Sequence, residues 1–268
     1  EFDNGQPFDK EEWLYQKFDT HRKLFESINE TACLTLSNPR ILSDYLSLQS
    51  RLGRTTLSNT LLVLAQKPDA TCIMSYDDWE RLGRNIKRNE KPLLILEPIR
   101  GYEHDNAWMK VRIDAKAVFD LSQTQGKLLR GPVQASLRSR LRALVTDSPF
   151  PVVISDEVVK EYGAQHSKER KAVYVTRDLD GETLFAVIAR ELASVETMTG
   201  DCTLDGFIED CAASIICQRY GINPPACHGI PESISSADAD EKQAVLEGIH
   251  EAACEIIERM DINLYAER

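Results

Sequence analysis

The sequence predicts an α+β protein with two domains, residues 1–130 and 131–268. In the first half, apolar residues recur at helical spacing and then give way to strand-like runs. In the second half, two short strand-like runs lie among longer helical segments, so this domain should be mostly helical. The charge divides in the same way: residues 1–135 hold 19 basic and 19 acidic residues, whereas residues 136–268 hold 13 and 24.

Helices come first in the N-terminal half. Residues 8–35 place Trp13, Leu14, Phe18 and Ile28 at helical spacing. A buried helix should stop before Pro68, and Ser75 is suited to cap the next helix. Helices are therefore predicted at residues 8–35, 41–50, 56–68 and 75–87, followed by strands within 92–99 and 108–126.

Gly and Pro in the segment 128–134 mark the predicted domain boundary. A basic helix and two strands should follow it, and then three long helices, the last of which is amphipathic. The predicted helices span residues 136–148, 182–198, 203–222 and 235–260, and the predicted strands 150–156 and 171–178.

Composition excludes several classes of protein. The chain has 268 residues, 42% of them hydrophobic and 28% charged, and no apolar run approaches the ~18 residues of a membrane span. Seven cysteines without a CxxC pair, and a polar first segment unlike a signal peptide, favour free thiols in the cytoplasm. The chain does not begin with Met, so a segment of a longer protein is expected. The net charge of −11 falls on the second half, which should repel nucleic-acid phosphates but could bind a protein partner.

The stretch AVIARELASVE, residues 186–196, has the rhythm of the zinc-peptidase helix HExxH. Arg190 and Ser194 stand where the two histidines should be, with Glu191 intact between them. A guanidinium has no lone pair for a metal, and a neutral serine is a poor zinc ligand. We therefore expect no catalytic residue, no metal and no cofactor here, although an ordinary helix could carry the same five letters.

A specific pattern lies in the first half. Asn59 sits in an apolar helix, and Val118, Phe119 and Gln123 form a later segment. Between them runs a motif that begins at Trp79 and continues through Gly83, Ile86, Lys87, Arg88, Asn89, Glu90 and Lys91. This pattern resembles the ArdC-like antirestriction proteins, and most of all the LtrC-like relatives of conjugative elements. The family usually has Gly at the place of Asn89, a residue that also tolerates positive φ.

The resemblance extends to the second half, which looks like the zincin-type metallopeptidase domain of the same family. There Asp210 matches the position of a third metal ligand, so Arg190, Ser194 and Asp210 would be vestigial metal positions and Glu191 a vestigial catalytic residue. A buried arginine needs carboxylate partners. We predict that Arg190 pairs with Asp210, with Glu209 and Glu191 as further candidates.

The resemblance also implies binding of single-stranded DNA by the first half. Alternatives stay open, because Trp79 could be a core residue, Asn59 could satisfy backbone groups, Gln123 could cap a turn, and the basic run could be a solvated face. The candidate DNA-binding residues are Asn59, Trp79, Arg84, Lys87, Arg88, Lys91 and Gln123.

These observations favour a single-stranded-DNA-binding protein of a mobile element, linked to antirestriction and conjugation, with an inactive metallopeptidase-like domain. Two alternatives remain. One is an active metallopeptidase with atypical ligands, drawn from Glu191, Asp210 and either His166 or His228. The other is a protein-interaction module that does not bind DNA, which would suit the acidic pI of about 5.0.

Overall fold

The computed structural model describes residues 9–99, 112–129, 135–156, 163–167, 169–196, 200–225 and 227–266. The predicted domain boundary at residues 130 and 131 lies outside these ranges. Runs of helices and small, mostly antiparallel sheets make up the described chain, which confirms the α+β class.

The chain opens with three helices, as predicted. Each begins at a polar side chain that accepts a hydrogen bond from the first turn: Asp9, Asn38 and Thr56. The helices are α1 (Lys10–Thr35), α2 (Pro39–Leu52) and α3 (Leu57–Gln66).

The fourth predicted helix is shorter than expected. Helix α4 (Tyr76–Arg81) ends before Gly83, whose φ of 75° turns the chain away from the helical path. Residues 84–86 then form strand β2 (Arg84–Ile86), so the prediction of one helix over 75–87 was wrong in its second half.

The strands of this half form two antiparallel sheets. Strand β3 (Leu93–Ile99) pairs along its length with β4 (Arg112–Asp120), in a register that sets Leu93 opposite Val118. The short β1 (Ile73–Met74) pairs with the other edge of β4, and β2 pairs with β5 (Thr124–Gly126). Helix α3 packs on β3, so the longest strand pair lies against the helices.

The second half contains a three-stranded sheet and five helices in the described residues. The strands are β6 (Val152–Ile154), β7 (Ala164–Ser167) and β8 (Ala172–Val175), with β8 in the centre, parallel to β6 and antiparallel to β7. The helices are α5 (Leu137–Val145), α6 (Gly181–Glu196), α7 (Cys202–Arg219), α8 (Glu232–Ser235) and α9 (Ala239–Ala266).

Apolar side chains from both halves meet in one buried cluster, which includes Leu48 on α2, Ile216 on α7 and Ile257 on α9. Helix α7 contacts α2, α6 and α9, and α9 also contacts α1. Helix α7 is therefore enclosed by neighbours, which explains why its sequence is apolar on nearly all sides. The division into two domains stays a prediction. No helix among the described residues is long and apolar enough to cross a membrane.

Candidate functional site

The motif helix α6 packs against α7, and Arg190 reaches across the contact. Its Nε donates to Oδ1 of Asp210 at 2.7 Å. Its two Nη atoms lie 3.3 Å from a carboxylate oxygen of Glu191 and 3.2 Å from one of Glu209. The side chain of Asp210 is only 3% exposed, so its charge requires a partner. These contacts confirm the predicted pairing of Arg190.

Carboxyl groups outnumber cations in this cluster, and two of them have raised pKa values. Burial, joined by the charges of neighbouring carboxylates, raises the pKa of Glu209 to about 7 although Arg190 opposes the shift. Burial likewise raises the pKa of Glu191. One guanidinium therefore does not fully compensate three half-buried or buried carboxyl groups.

Glu191 and Ser194 are held by strand β7 and by their own helix. Oε2 of Glu191 accepts the backbone N–H of His166 at 2.7 Å. The Ser194 hydroxyl donates to the Glu191 carbonyl at 2.7 Å and lies 3.4 Å from Nδ1 of His166. The His166 ring stacks at a tilt on Phe150, with 5.0 Å between the ring centroids. Strand β7 thus brings His166 to the motif helix.

The second oxygen of Asp210 is bound by His228, which follows α7 on an irregular segment. Oδ2 accepts the backbone N–H of His228 at 3.1 Å and also contacts Nδ1 of the ring. Next to this contact, the sulfur atoms of Cys211 and Cys227 lie 3.6 Å apart. This contact between the two sulfur atoms lowers the pKa of Cys227 and raises that of Cys211.

A zinc ion, which the sequence resemblance implies for this place, does not fit the residues present. Arg190 is a cation without a free lone pair, and it already binds Asp210, while His228 binds the other oxygen of that carboxylate. In the described ranges, no three His, Cys, Asp or Glu side chains converge as a metal-binding group. The cluster is an ion-pair network built around a guanidinium.

Two of the candidate DNA-binding residues instead connect elements of the fold. The amide of Asn59 on α3 binds both the carbonyl and the N–H of Leu96 on β3, at 2.9 and 2.8 Å. Trp79 is fully buried, and its indole N–H donates to the Phe119 carbonyl at 2.9 Å. Both side chains therefore have a structural role, and direct DNA contact at Asn59 and Trp79 stays a prediction.

Arg84 and Gln123 are also structural. Arg84 is buried and donates to the hydroxyl and carbonyl of Thr124 and to the Lys127 carbonyl, so its charge does not face solvent. The Gln123 amide completes a capping box with Asp120 and donates to the Lys91 carbonyl. Direct contact of Arg84 and Gln123 with DNA likewise stays a prediction.

The remaining candidates share one exposed turn. Lys87, Arg88 and Lys91 all lie on the surface between β2 and β3. Asn89 has a φ of 66°. Asparagine therefore takes up here the positive φ that glycine adopts most easily. We name residues 87–91 the basic turn. Glu90 accepts a hydrogen bond from Gln123 at 3.0 Å, and the Lys87 ammonium binds the Ser122 carbonyl at 2.6 Å, so both ends of the turn are anchored.

No family model matches the sequence, and no curated protein matches it. Among solved structures, the chain is similar to the metal-free crystal structure of the antirestriction ArdC protein from the R388 plasmid, with 14% identity and a TM-score of 0.46 over 78% of this chain and 85% of that chain. The Mn(II)-bound structure of the same protein matches with 15% identity and a TM-score of 0.45 over 78% and 83%.

Proposed function

We propose that this chain binds single-stranded DNA through the basic turn, in an antirestriction role on a mobile element. The observation that carries the proposal is the exposure of Lys87, Arg88 and Lys91 on a turn whose backbone is hydrogen-bonded to Gln123 at both ends. Three cations held close together can follow a run of phosphates, and a fixed turn loses little conformational entropy on binding. The antirestriction part of the proposal is based on the resemblance to ArdC proteins.

The turn also carries little of the acidic charge that dominates the second half. Within residues 87–91 the one acidic side chain is Glu90, and its carboxylate is already bound by Gln123. Because Trp79 is buried, base stacking on that ring is not part of the proposal. Affinity should come mainly from phosphate contacts, so it should vary little with sequence and strongly with salt.

The test is fluorescence anisotropy with a labelled single strand and its duplex over a range of salt concentrations. The variant is Arg88→Ala with Lys91→Ala, two exposed residues whose side chains form no hydrogen bond or ion pair within the described part of the chain. We expect weaker binding to the single strand and a salt slope smaller by roughly 1.4, about 0.7 for each lost phosphate contact. The matched control, Lys10→Ala with Arg138→Ala, removes the same charge from exposed positions elsewhere.

Equal losses in the two double variants would contradict a specific role of the basic turn, since only net charge would then matter. Absence of binding to the single strand at low salt would overturn the proposal itself. The acidic second half would then be the place to search for a protein partner.

We further propose that the second half works without metal and without peptidase activity. Support comes from the guanidinium of Arg190, which binds the carboxylates that a metal ion would otherwise use. If the cluster descends from a zinc site, Arg190→His combined with Ser194→His should create one. We expect this double variant to bind one zinc per chain, with Asp210 as third ligand, and Asp210→Asn added to it should abolish binding.

Zinc content is measured on purified, folded protein by elemental analysis after dialysis. A folded double variant without zinc would contradict the descent from a metal site. Stoichiometric zinc in the unaltered chain would instead favour the second candidate, a hydrolase with atypical ligands. That candidate keeps one supporting observation, because His166 and His228 both lie beside the motif helix or its partner Asp210.

A further inference from the structure

Two thiols meet beside the Arg190 cluster. Cys211 is fully buried on α7, directly after Asp210, whereas Cys227 is exposed on the segment that follows the helix. Their sulfur atoms are 3.6 Å apart. The proposed function assigns these thiols no role, and no other pair of cysteines is in contact within the described ranges of the chain.

The neighbouring residues hold this segment close to α7. His228 follows Cys227 and binds Asp210 through both its backbone N–H and its ring. Asp210 therefore contacts His228 directly beside the place where Cys211 contacts Cys227. A disulfide needs its sulfur atoms at about 2.05 Å, and this approach demands movement of one partner. Cys227 lies outside regular secondary structure, so that movement breaks no helical or strand hydrogen bond.

We propose that Cys211 and Cys227 form an oxidisable dithiol site, which a peroxide converts to an intramolecular disulfide. The exposed thiolate of Cys227 attacks one oxygen of hydrogen peroxide, the O–O bond breaks, and a sulfenic acid and hydroxide form. The sulfur of Cys211, losing its proton, then attacks the sulfur of the sulfenic acid. The S–S bond forms, the S–O bond breaks and water leaves, so that two thiols are oxidised and one peroxide is reduced to two waters.

The buried partner makes this pair different from an isolated exposed thiol. Cys202, at the start of the same helix, is also exposed but has no second cysteine in contact among the described residues. Its sulfenic acid would persist, proceed to higher acids or react with another molecule. At Cys227, the resolving thiol already lies against the reacting sulfur, so closure should outrun those reactions.

The test exposes the reduced chain of 268 residues to a small excess of hydrogen peroxide, followed by alkylation and peptide mass spectrometry without reductant. We expect a cross-linked peptide that joins Cys211 and Cys227 and has lost two hydrogens. The matched control Cys202→Ser should form the same cross-link at the same rate. Cys211→Ala should instead leave Cys227 as a sulfenic acid or a higher acid, which a dimedone probe detects.

Three results would overturn the proposal. Cys227 could accumulate as sulfinic acid while Cys211 remains free in the unaltered chain. Disulfides could form only between chains, which non-reducing electrophoresis would show. The two thiols could resist alkylation until a chelator is added, in which case the pair holds a metal ion and is not a free dithiol.

Discussion

Arg190 divides one positive charge among Glu191, Glu209 and Asp210. Asp210 receives the shortest contact and is the most buried of the three, so it is the carboxylate that the guanidinium compensates best. Burial of the Glu209 carboxyl group raises its pKa most strongly. The neighbouring carboxylates raise this pKa further, and the Arg190 cation lowers it. The cluster should therefore hold a proton that an exposed glutamate would have lost.

This retained proton predicts a pH dependence of stability. The folded pKa of Glu209 is about 7, above the usual value of 4.5, so the folded chain binds a proton that the unfolded chain releases between these values. The resulting stabilisation is fully present below about pH 4.5 and is lost as the pH rises to about 7. The loss should be roughly 3 kcal/mol at most, at ~1.4 kcal/mol for each pKa unit.

Urea denaturation at several pH values measures this effect. Glu209→Gln should flatten the fall of the unfolding free energy between about pH 4.5 and 7, whereas the exposed Glu182→Gln should leave it as in the unaltered chain. Equal slopes in all three proteins would show that Glu209 does not carry the proton.

At the scale of elements, the end of α2 is fitted against the second half. Gly53 caps this helix with a φ of 62°, and a Cβ there would lie 2.7 Å from Nη1 of Arg219. Arg219 in turn donates to the Ser50 carbonyl and to Asp261 on α9, at 3.3 and 2.7 Å. The glycine thus provides both the left-handed turn and the room for an arginine that joins α2, α7 and α9.

Gly53→Ala should lower the unfolding free energy by about 2 kcal/mol or more. Part of this cost is the left-handed backbone, about 1–2 kcal/mol for a residue with a Cβ. The rest comes from displacing Arg219 from its partners. Gly200→Ala separates the two causes, since Gly200 has a φ of 87° but no atom of the described residues within 4 Å of an added Cβ.

Chemical denaturation of both variants gives the comparison. A larger loss at Gly53 than at Gly200 is expected, and the difference measures the contact with Arg219. Losses of the same size would mean that Arg219 moves aside without cost.

The elements also show what the sequence could predict. Helical spacing and capping residues located most helices, but the period runs on through Leu82 and Ile86 although Gly83 has already turned the chain into β2. The sequence of strand β7 shows no alternation of apolar and polar residues that would predict a strand. The strand is defined by its backbone hydrogen bonds with β8, which the sequence pattern does not show. The Arg190 pairing was predictable because a buried charge needs a partner. For Trp79 the helical spacing favours a core role and the family resemblance a DNA-binding role, and in the fold the side chain is fully buried.

For the whole molecule, the central question is whether the two halves unfold separately. Helices α1 and α2 pack against α9 and α7, and one apolar cluster runs through both halves. Separating the halves would expose that apolar surface to water. We therefore expect one cooperative transition and no stable fragment that ends near residue 130.

A cavity placed in one half should weaken both if this is correct. Ile257→Ala removes a fully buried side chain from α9 and should cost about 3 kcal/mol. Trp79, buried against β4, reports the first half by fluorescence once Trp13→Phe and Trp108→Phe remove the other two tryptophans. If the chain is one cooperative unit, the cavity shifts the midpoint of unfolding equally when it is followed by Trp79 fluorescence and by helical circular dichroism. A Trp79 transition that stays in place while the helical signal shifts would mean that the halves are separate domains, since an independent first half would not be affected by a cavity in α9.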